Sequence, residues 1–206
     1  MFVSDILFST LFPRTCRVCG KNNYWICPEC RSIWQQPVVP IIDGFDIVLA
    51  CVPYDKLAQK IMHDYKFNFY FDYAADIAFM MNTRLQAIDY DYLIPVPASN
   101  KRTKWRGFQH TELLCKHINN KKLNNVLIKT KDTRNQAELS KADRKRNLSN
   151  AFSLTSSDTI KDKRIVLVDD VCTTGSTLAE CAQVLKTAGA KSVIGLVWAY
   201  TLENLS

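Results

Sequence analysis

Four cysteines, Cys16, Cys19, Cys27 and Cys30, fall into the pattern C-x2-C-x7-C-x2-C. Each C-x2-C pair can turn two thiolates toward one point, and two such pairs complete a tetrahedral zinc site at about 2.3 Å per bond. Gly20 follows the first pair, where a tight turn is useful. Disulfides and buried free thiols are the alternatives. A reducing cytosol disfavours the first, and four cysteines within 15 residues are too regular a set for the second. A closed four-thiolate site has no open coordination position, so this zinc is expected to hold structure and do no chemistry. Cys51, Cys115 and Cys181 lack mutual spacing and read as small core residues. Cys172 lies inside a polar motif, but no histidine lies near it in sequence to activate a nucleophile. His63, His110 and His117 form no evident metal set.

The polar motif is IVLVDDVCTTGSTL, Ile165 to Leu178. Ile165 to Val168 read as a buried strand, with Asp169 and Asp170 just past its end. Two ionised carboxylates in a core repel, so both are expected to face a crevice or a ligand, and they accept hydrogen bonds well from the vicinal hydroxyls of a ribose. Thr173, Thr174, Gly175, Ser176 and Thr177 then open a helix. Backbone N–H groups at a helix start, with hydroxyls beside them, suit a phosphate, and Gly175 permits close approach. An N-capped helix alone would explain one hydroxyl. It leaves the two aspartates unexplained.

The elements around these residues alternate in type. Strand patterns cover Phe45 to Val52, Tyr92 to Val96, Val126 to Lys129, Arg164 to Val168 and Ser192 to Tyr200. Helical spacing recurs around Leu57, Ile61 and Tyr65, over Asp72 to Ala87, over Thr111 to Ile118, and over Thr177 to Ala188 before Gly189. Such alternation predicts an α/β domain with a mostly parallel sheet flanked by helices, and ligands in such sheets sit at the carboxyl ends of strands. Pro37, Pro40 and Gly44 separate this region from the cysteine-rich start, placing a small zinc module in residues 1–40 and the α/β domain in 45–206.

At 206 residues and 47% hydrophobic content the chain suits one core with a small appendage. It has no apolar run of the roughly 18 residues a membrane helix needs. The opening MFVSDILFSTLFP lacks a basic leader and a small-residue cleavage site, and reads as a short helix with one apolar face. The expected location is the cytoplasm. The net charge of +7 is uneven: 14 Lys or Arg face 4 Asp or Glu between Lys101 and Arg146, leaving 13 basic and 16 acidic groups elsewhere. That excess suits a polyanion, although a solvated basic face would look the same.

The motif from Ile165 to Leu178 resembles the phosphoribosyl pyrophosphate signature of type I phosphoribosyltransferases. With the four cysteines, IPVPASNKRTKWRGF (Ile94 to Phe108), and the run from Gln136 through Arg144, Asn147, Ala151 and Phe152, the whole chain resembles the ComF family of late competence proteins. These join a four-cysteine zinc module to a phosphoribosyltransferase-like domain. The resemblance implies that Asp169 and Asp170 hold ribose hydroxyls and that Thr173 to Thr177 hold the 5′-phosphate. It makes Pro95 to Asn100, with Pro97, Ala98 and Ser99, the pyrophosphate loop, aided by Lys101, Arg102 and Arg106. It further implies Mg²⁺ bound with phosphoribosyl pyrophosphate or a related nucleotide, a role in natural transformation, and DNA-uptake or recombination proteins as partners. Where the family often has GFNQ, this chain has Gly107, Phe108, Gln109 and His110, and lysines stand at 129 and 131 where it often has arginines. Transfer would develop positive charge on the ribose as pyrophosphate leaves, a task of positioning and electrostatics. No residue stands out as a contact for an acceptor base. The rival reading is a single-stranded DNA-binding competence factor without turnover, using the basic segment with Trp105 and Phe108 interleaved.

Overall fold

The computed structural model describes residues 14–68, 71–130 and 151–201, with the side chains of Asn100, Lys101 and Arg102 left aside. The amphipathic start and the run from Gln136 to Asn147 lie outside the described residues.

Among the described residues six strands and six α-helices follow one another: α1 (Pro28–Arg31), β1 (Ile47–Pro53), α2 (Lys56–Phe67), α3 (Tyr73–Arg84), β2 (Tyr92–Pro95), α4 (Asn100–Arg106), α5 (His110–Asn119), β3 (Leu127–Lys129), β4 (Phe152–Leu154), β5 (Arg164–Cys172), α6 (Ser176–Thr187) and β6 (Ser192–Tyr200). A four-stranded sheet has the order β1-β6-β5-β2, and every pairing in it is parallel. β3 and β4 form a separate antiparallel pair.

Both sheet faces are covered, as the apolar strands require. In β5, Val166 and Val168 join the core beneath α2, α3 and α5, whereas Ile165 and Leu167 join the core beneath α6 and the β3–β4 pair. This is the period-two alternation of a strand buried on both sides. The second helix shows the other period. Asp55 caps it by accepting from the Ala58 N–H at 2.7 Å, and Ala58, Ile61, Met62 and Tyr65 form its buried stripe.

One boundary differs where it matters. The strand expected to stop at Val168 continues to Cys172, because β6 offers partners throughout: Asp169 pairs with Val197, Val171 with Ala199 and Cys172 with Tyr200. Asp169 and Asp170 therefore lie inside the last part of a strand, not beyond it. The two acids differ in burial, Asp170 being buried and Asp169 half-buried.

The cysteine-rich segment packs on the same core as the sheet. Ile26, Cys27, Cys30 and Trp34 are buried in one cluster with Tyr73, Ile77 and Trp198. Asp76 of α3 fastens it, accepting from the Trp25 and Ile26 N–H groups at 3.1 and 2.9 Å and pairing with Arg31 at 2.5 Å. The Trp34 indole donates to Asp55 at 3.0 Å.

Candidate functional site

The four sulfurs of Cys16, Cys19, Cys27 and Cys30 lie within 4.8 Å of one another. The first knuckle closes with the Gly20 N–H on the Cys16 carbonyl at 2.8 Å, and Gly20 takes φ +78°, the left-handed conformation its position requires. Burial would raise the Cys16 thiol, but backbone N–H groups of Cys27, Cys19 and Val18 turned toward its sulfur outweigh that and bring it to about 6. Four convergent sulfurs, one already favouring thiolate, fit a closed structural metal site of the zinc type.

The second constellation stands at the carboxyl end of β5. A small pocket is lined by Asp169 and by the loop Thr173 to Thr177. Gly175 caps α6 at φ +74°, and a Cβ there would meet Ile42 Cδ1 at 2.9 Å, so both backbone and space select glycine. Thr174 Oγ1 and Ser176 Oγ are 2.9 Å apart. The pocket thus faces the N-terminus of a 12-residue helix, with hydroxyls and backbone N–H groups about it.

The loop carrying Pro97, Ala98 and Ser99 leaves the sheet beside this pocket. β2 is the parallel neighbour of β5, and the Val96 N–H reaches the Val168 carbonyl at 2.8 Å. Gln109 Oε1 accepts from the Ala98 N–H at 3.1 Å and ties the loop to the residue before α5. Lys101 and Arg102 follow on α4; their side chains lie outside the described residues. Arg106 turns inward, its guanidinium 4.9 Å from the Phe67 ring centroid and 3.1 Å from His110 Nδ1.

Asp170 departs from the expectation that both acids face a crevice. It is 4% exposed and carries an ion pair to Lys66 at 2.7 Å and a contact to His110 Nε2. Burial opposes its charge, yet Lys66 and His110 prevail and hold it well below the usual carboxylate range. Asp169 moves the other way, raised by burial first and by the Asp170 charge second. Asp169 Oδ1 accepts from the Asp170 N–H at 2.8 Å. His110 is depressed by burial, with Lys66 and Arg106 adding to that effect against Asp170.

Sequence reading missed Lys66 and set His110 aside. The signal for Lys66 was faint: it sits in the last turn of α2, off the buried stripe, where a lysine ordinarily meets solvent or the helix dipole. His110, Asp169 and Asp170 converge only through the fold. Cys172 is buried and its thiol is raised to about 12 by burial, which removes it as a nucleophile. Cys51, Cys115 and Cys181 are core residues, as expected.

Residues 113–203 match the phosphoribosyl transferase domain family. The DNA utilization protein YhgH of Escherichia coli O6:H1 is 40% identical over 206 residues, which cover 86% of this chain and 86% of that protein. The chain belongs to the ComF family. Competence protein F of Haemophilus influenzae is 40% identical over 106 residues, spanning 49% of this chain and 46% of that protein's length, and Competence protein ComFC of Streptococcus pneumoniae is 25% identical over 190 residues, 92% of this chain and 82% of its own. Among solved structures, glutamine phosphoribosylpyrophosphate amidotransferase from B. subtilis matches 59% of this chain and 25% of its own at 22% identity and a TM-score of 0.39. The ComF chain thus carries a phosphoribosyltransferase-like domain behind a four-cysteine cluster. No helix among the described residues is long and apolar enough to cross a membrane.

Proposed function

We propose that this protein binds phosphoribosyl pyrophosphate with Mg²⁺ through its phosphoribosyltransferase-like domain and serves DNA uptake in natural transformation from the cytoplasm. The observation that carries the reading is the pocket that joins Asp169 to the Thr173–Thr177 loop at the start of α6. The acidic end suits ribose hydroxyls, and the helix start suits the 5′-phosphate. Pro97, Ala98 and Ser99 supply the neighbouring loop for the pyrophosphate, with Lys101 and Arg102 behind it. Mg²⁺, when bound, neutralises charge on the pyrophosphate. Lys66 already takes the cation's position at Asp170, which fits an ion carried by the phosphates better than one fixed on both carboxylates. Relatives named competence and DNA utilization proteins support the biological role. Calorimetric titration of phosphoribosyl pyrophosphate with and without Mg²⁺ tests the reading: Mg²⁺-dependent heat is expected, and a flat titration under both conditions refutes it.

A cluster of rings favours a second reading, binding of single-stranded DNA. Phe67 and Trp105 lie 5.8 Å apart at 40% and 59% exposure, and Phe71 meets Phe108 edge-on at 4.7 Å, with the exposed Lys104 beside Trp105 on the intervening helix. Rings beside cations suit stacked bases and a phosphate backbone. Trp105→Ala should weaken oligothymidine binding about tenfold and leave donor binding intact. Oligothymidine affinity unchanged by the substitution, or insensitive to salt, removes this reading.

A further inference from the structure

Sequence and family resemblance treat the two acids as one unit; in the structure their carboxylates lie within 4.8 Å of one another but have different surroundings. Asp169 lines the pocket; Asp170 is absent from its lining and is enclosed by protein. Its partners come from two helices on the same side of the sheet: Lys66 from the last turn of α2 and His110 from the first residue of α5. Both are themselves anchored. Tyr65, the neighbour of Lys66, donates through its hydroxyl to the His110 carbonyl at 2.6 Å, and Thr111 Oγ1 donates to the Val96 carbonyl at 2.7 Å.

The proton positions in this chain can be assigned from chemistry. A guanidinium only donates, so the 3.1 Å contact from Arg106 makes His110 Nδ1 an acceptor. The ring hydrogen is then on Nε2 and is donated to Asp170. His110 is a neutral bridge between one cation and one anion, and Lys66 supplies the charge that lets Asp170 stay ionised.

We propose that the acidic pair is divided in function: Asp169 is the carboxyl that meets the donor's ribose, and Asp170 is a positioning residue clamped by Lys66 and His110. The clamp fixes the end of β5, and with it the orientation of Asp169 and the course of the Thr173–Thr177 loop. Lys66, His110 and Arg106 thereby act on the donor site without touching the donor. The inference rests on the donor-binding reading above.

The test is the same titration of phosphoribosyl pyrophosphate with Mg²⁺, run on variants, with melting temperatures measured in the absence of donor. Asp169→Asn keeps an acceptor for the Asp170 N–H but replaces one carboxylate oxygen with an N–H2 that cannot accept from a hydroxyl. It should lose donor affinity at least about tenfold while the melting temperature stays within about two degrees. Lys66→Met and His110→Ala should lower affinity and melting temperature together. His110→Gln, with an N–H donor at the same ε position, should recover most of both losses, which a purely space-filling histidine would not do. Lys66→Met combined with Asp170→Asn should cost less than the sum of the two single losses, because the pair acts as a unit. Two results overturn the division. One is Asp170→Asn abolishing affinity at unchanged melting temperature, as a direct contact would. The other is Lys66→Met and His110→Ala binding donor as the unsubstituted protein does. A flat titration of the unsubstituted protein instead refutes the donor-binding reading itself, and the division falls with it.

Discussion

Replacing Asp76 by alanine should loosen the cysteine-rich segment from the sheet domain, and the structure sets the size of the effect. The carboxylate receives three donors from that segment: the Trp25 N–H at 3.1 Å, the Ile26 N–H at 2.9 Å and the Arg31 guanidinium at 2.5 Å. Ile26 is fully buried, so its N–H would find no water, a loss of about 1–3 kcal/mol. The Arg31–Asp76 pair is 16% and 18% exposed, intermediate between surface and interior, and adds about 1 kcal/mol. Together these give about 3 kcal/mol, or roughly a 6–12 °C fall in melting temperature for a chain of this length. Asp76→Asn keeps an acceptor oxygen for the two N–H groups and gives up the ion pair, so it should lose only about 1–2 kcal/mol. The assay is urea denaturation followed by circular dichroism at saturating Zn²⁺, with zinc release to a chelator as second readout. An Asp76→Ala variant within about 0.5 kcal/mol of the unsubstituted protein would refute the anchoring argument. Equal losses for the Ala and Asn variants would show that the ion pair, and not the capture of the two N–H groups, matters.

Gly175→Ala should lose about 1–2 kcal/mol of stability, since φ +74° strains any Cβ and the added atom lies 2.9 Å from Ile42 Cδ1; thermal denaturation checks it, and a neutral result would refute the close-approach argument. Iodoacetamide at neutral pH should spare Cys172, because the buried thiol, raised to about 12, is protonated there; alkylation of Cys172 in the folded protein would count against this. Arg164 holds Asp91 well below the usual carboxylate range through hydrogen bonds to both carboxylate oxygens. A carboxyl depressed on folding stabilises above its unfolded value near 4 and loses that contribution as pH falls toward its folded one. The melting temperature should therefore drop below about pH 4, and Arg164→Met should flatten that slope.

Much of this was legible before the fold was known. The continuous apolar run Ile165 to Val168 marks a strand buried on both sides, and the helical spacing of Leu57, Ile61 and Tyr65 marks the second helix, whose buried stripe keeps Ile61 and Tyr65 and takes Ala58 and Met62 in place of the half-buried Leu57. The four-cysteine cluster was legible for a related reason: its members are local, and C-x2-C fixes geometry within a few residues. Strand β4 and helix α4 were not. Three residues, Phe152 to Leu154, pair with β3 across more than twenty intervening positions, and no local pattern records such a partner. The helix Asn100–Arg106 follows directly on a loop rich in proline and small residues, and reads as its continuation.

The acidic pair shows where local reading stops. Sequence states correctly that two adjacent carboxylates cannot both be buried and ionised. It leaves open which way the conflict is resolved, since facing a crevice together and dividing between two environments both satisfy that rule. The resolution depends on Lys66, 104 positions away by number from Asp170, and on His110, 60 positions away, so only the packed structure contains it. Local surroundings then make division the outcome. The two carboxylates come within 4.8 Å of one another, yet Asp170 meets Lys66 of α2 and His110 of α5, while Asp169 lines the pocket at the start of α6. A carboxylate enclosed by helices needs cations from those helices; a carboxyl beside the pocket can keep its hydrogen-bonding capacity for a ligand.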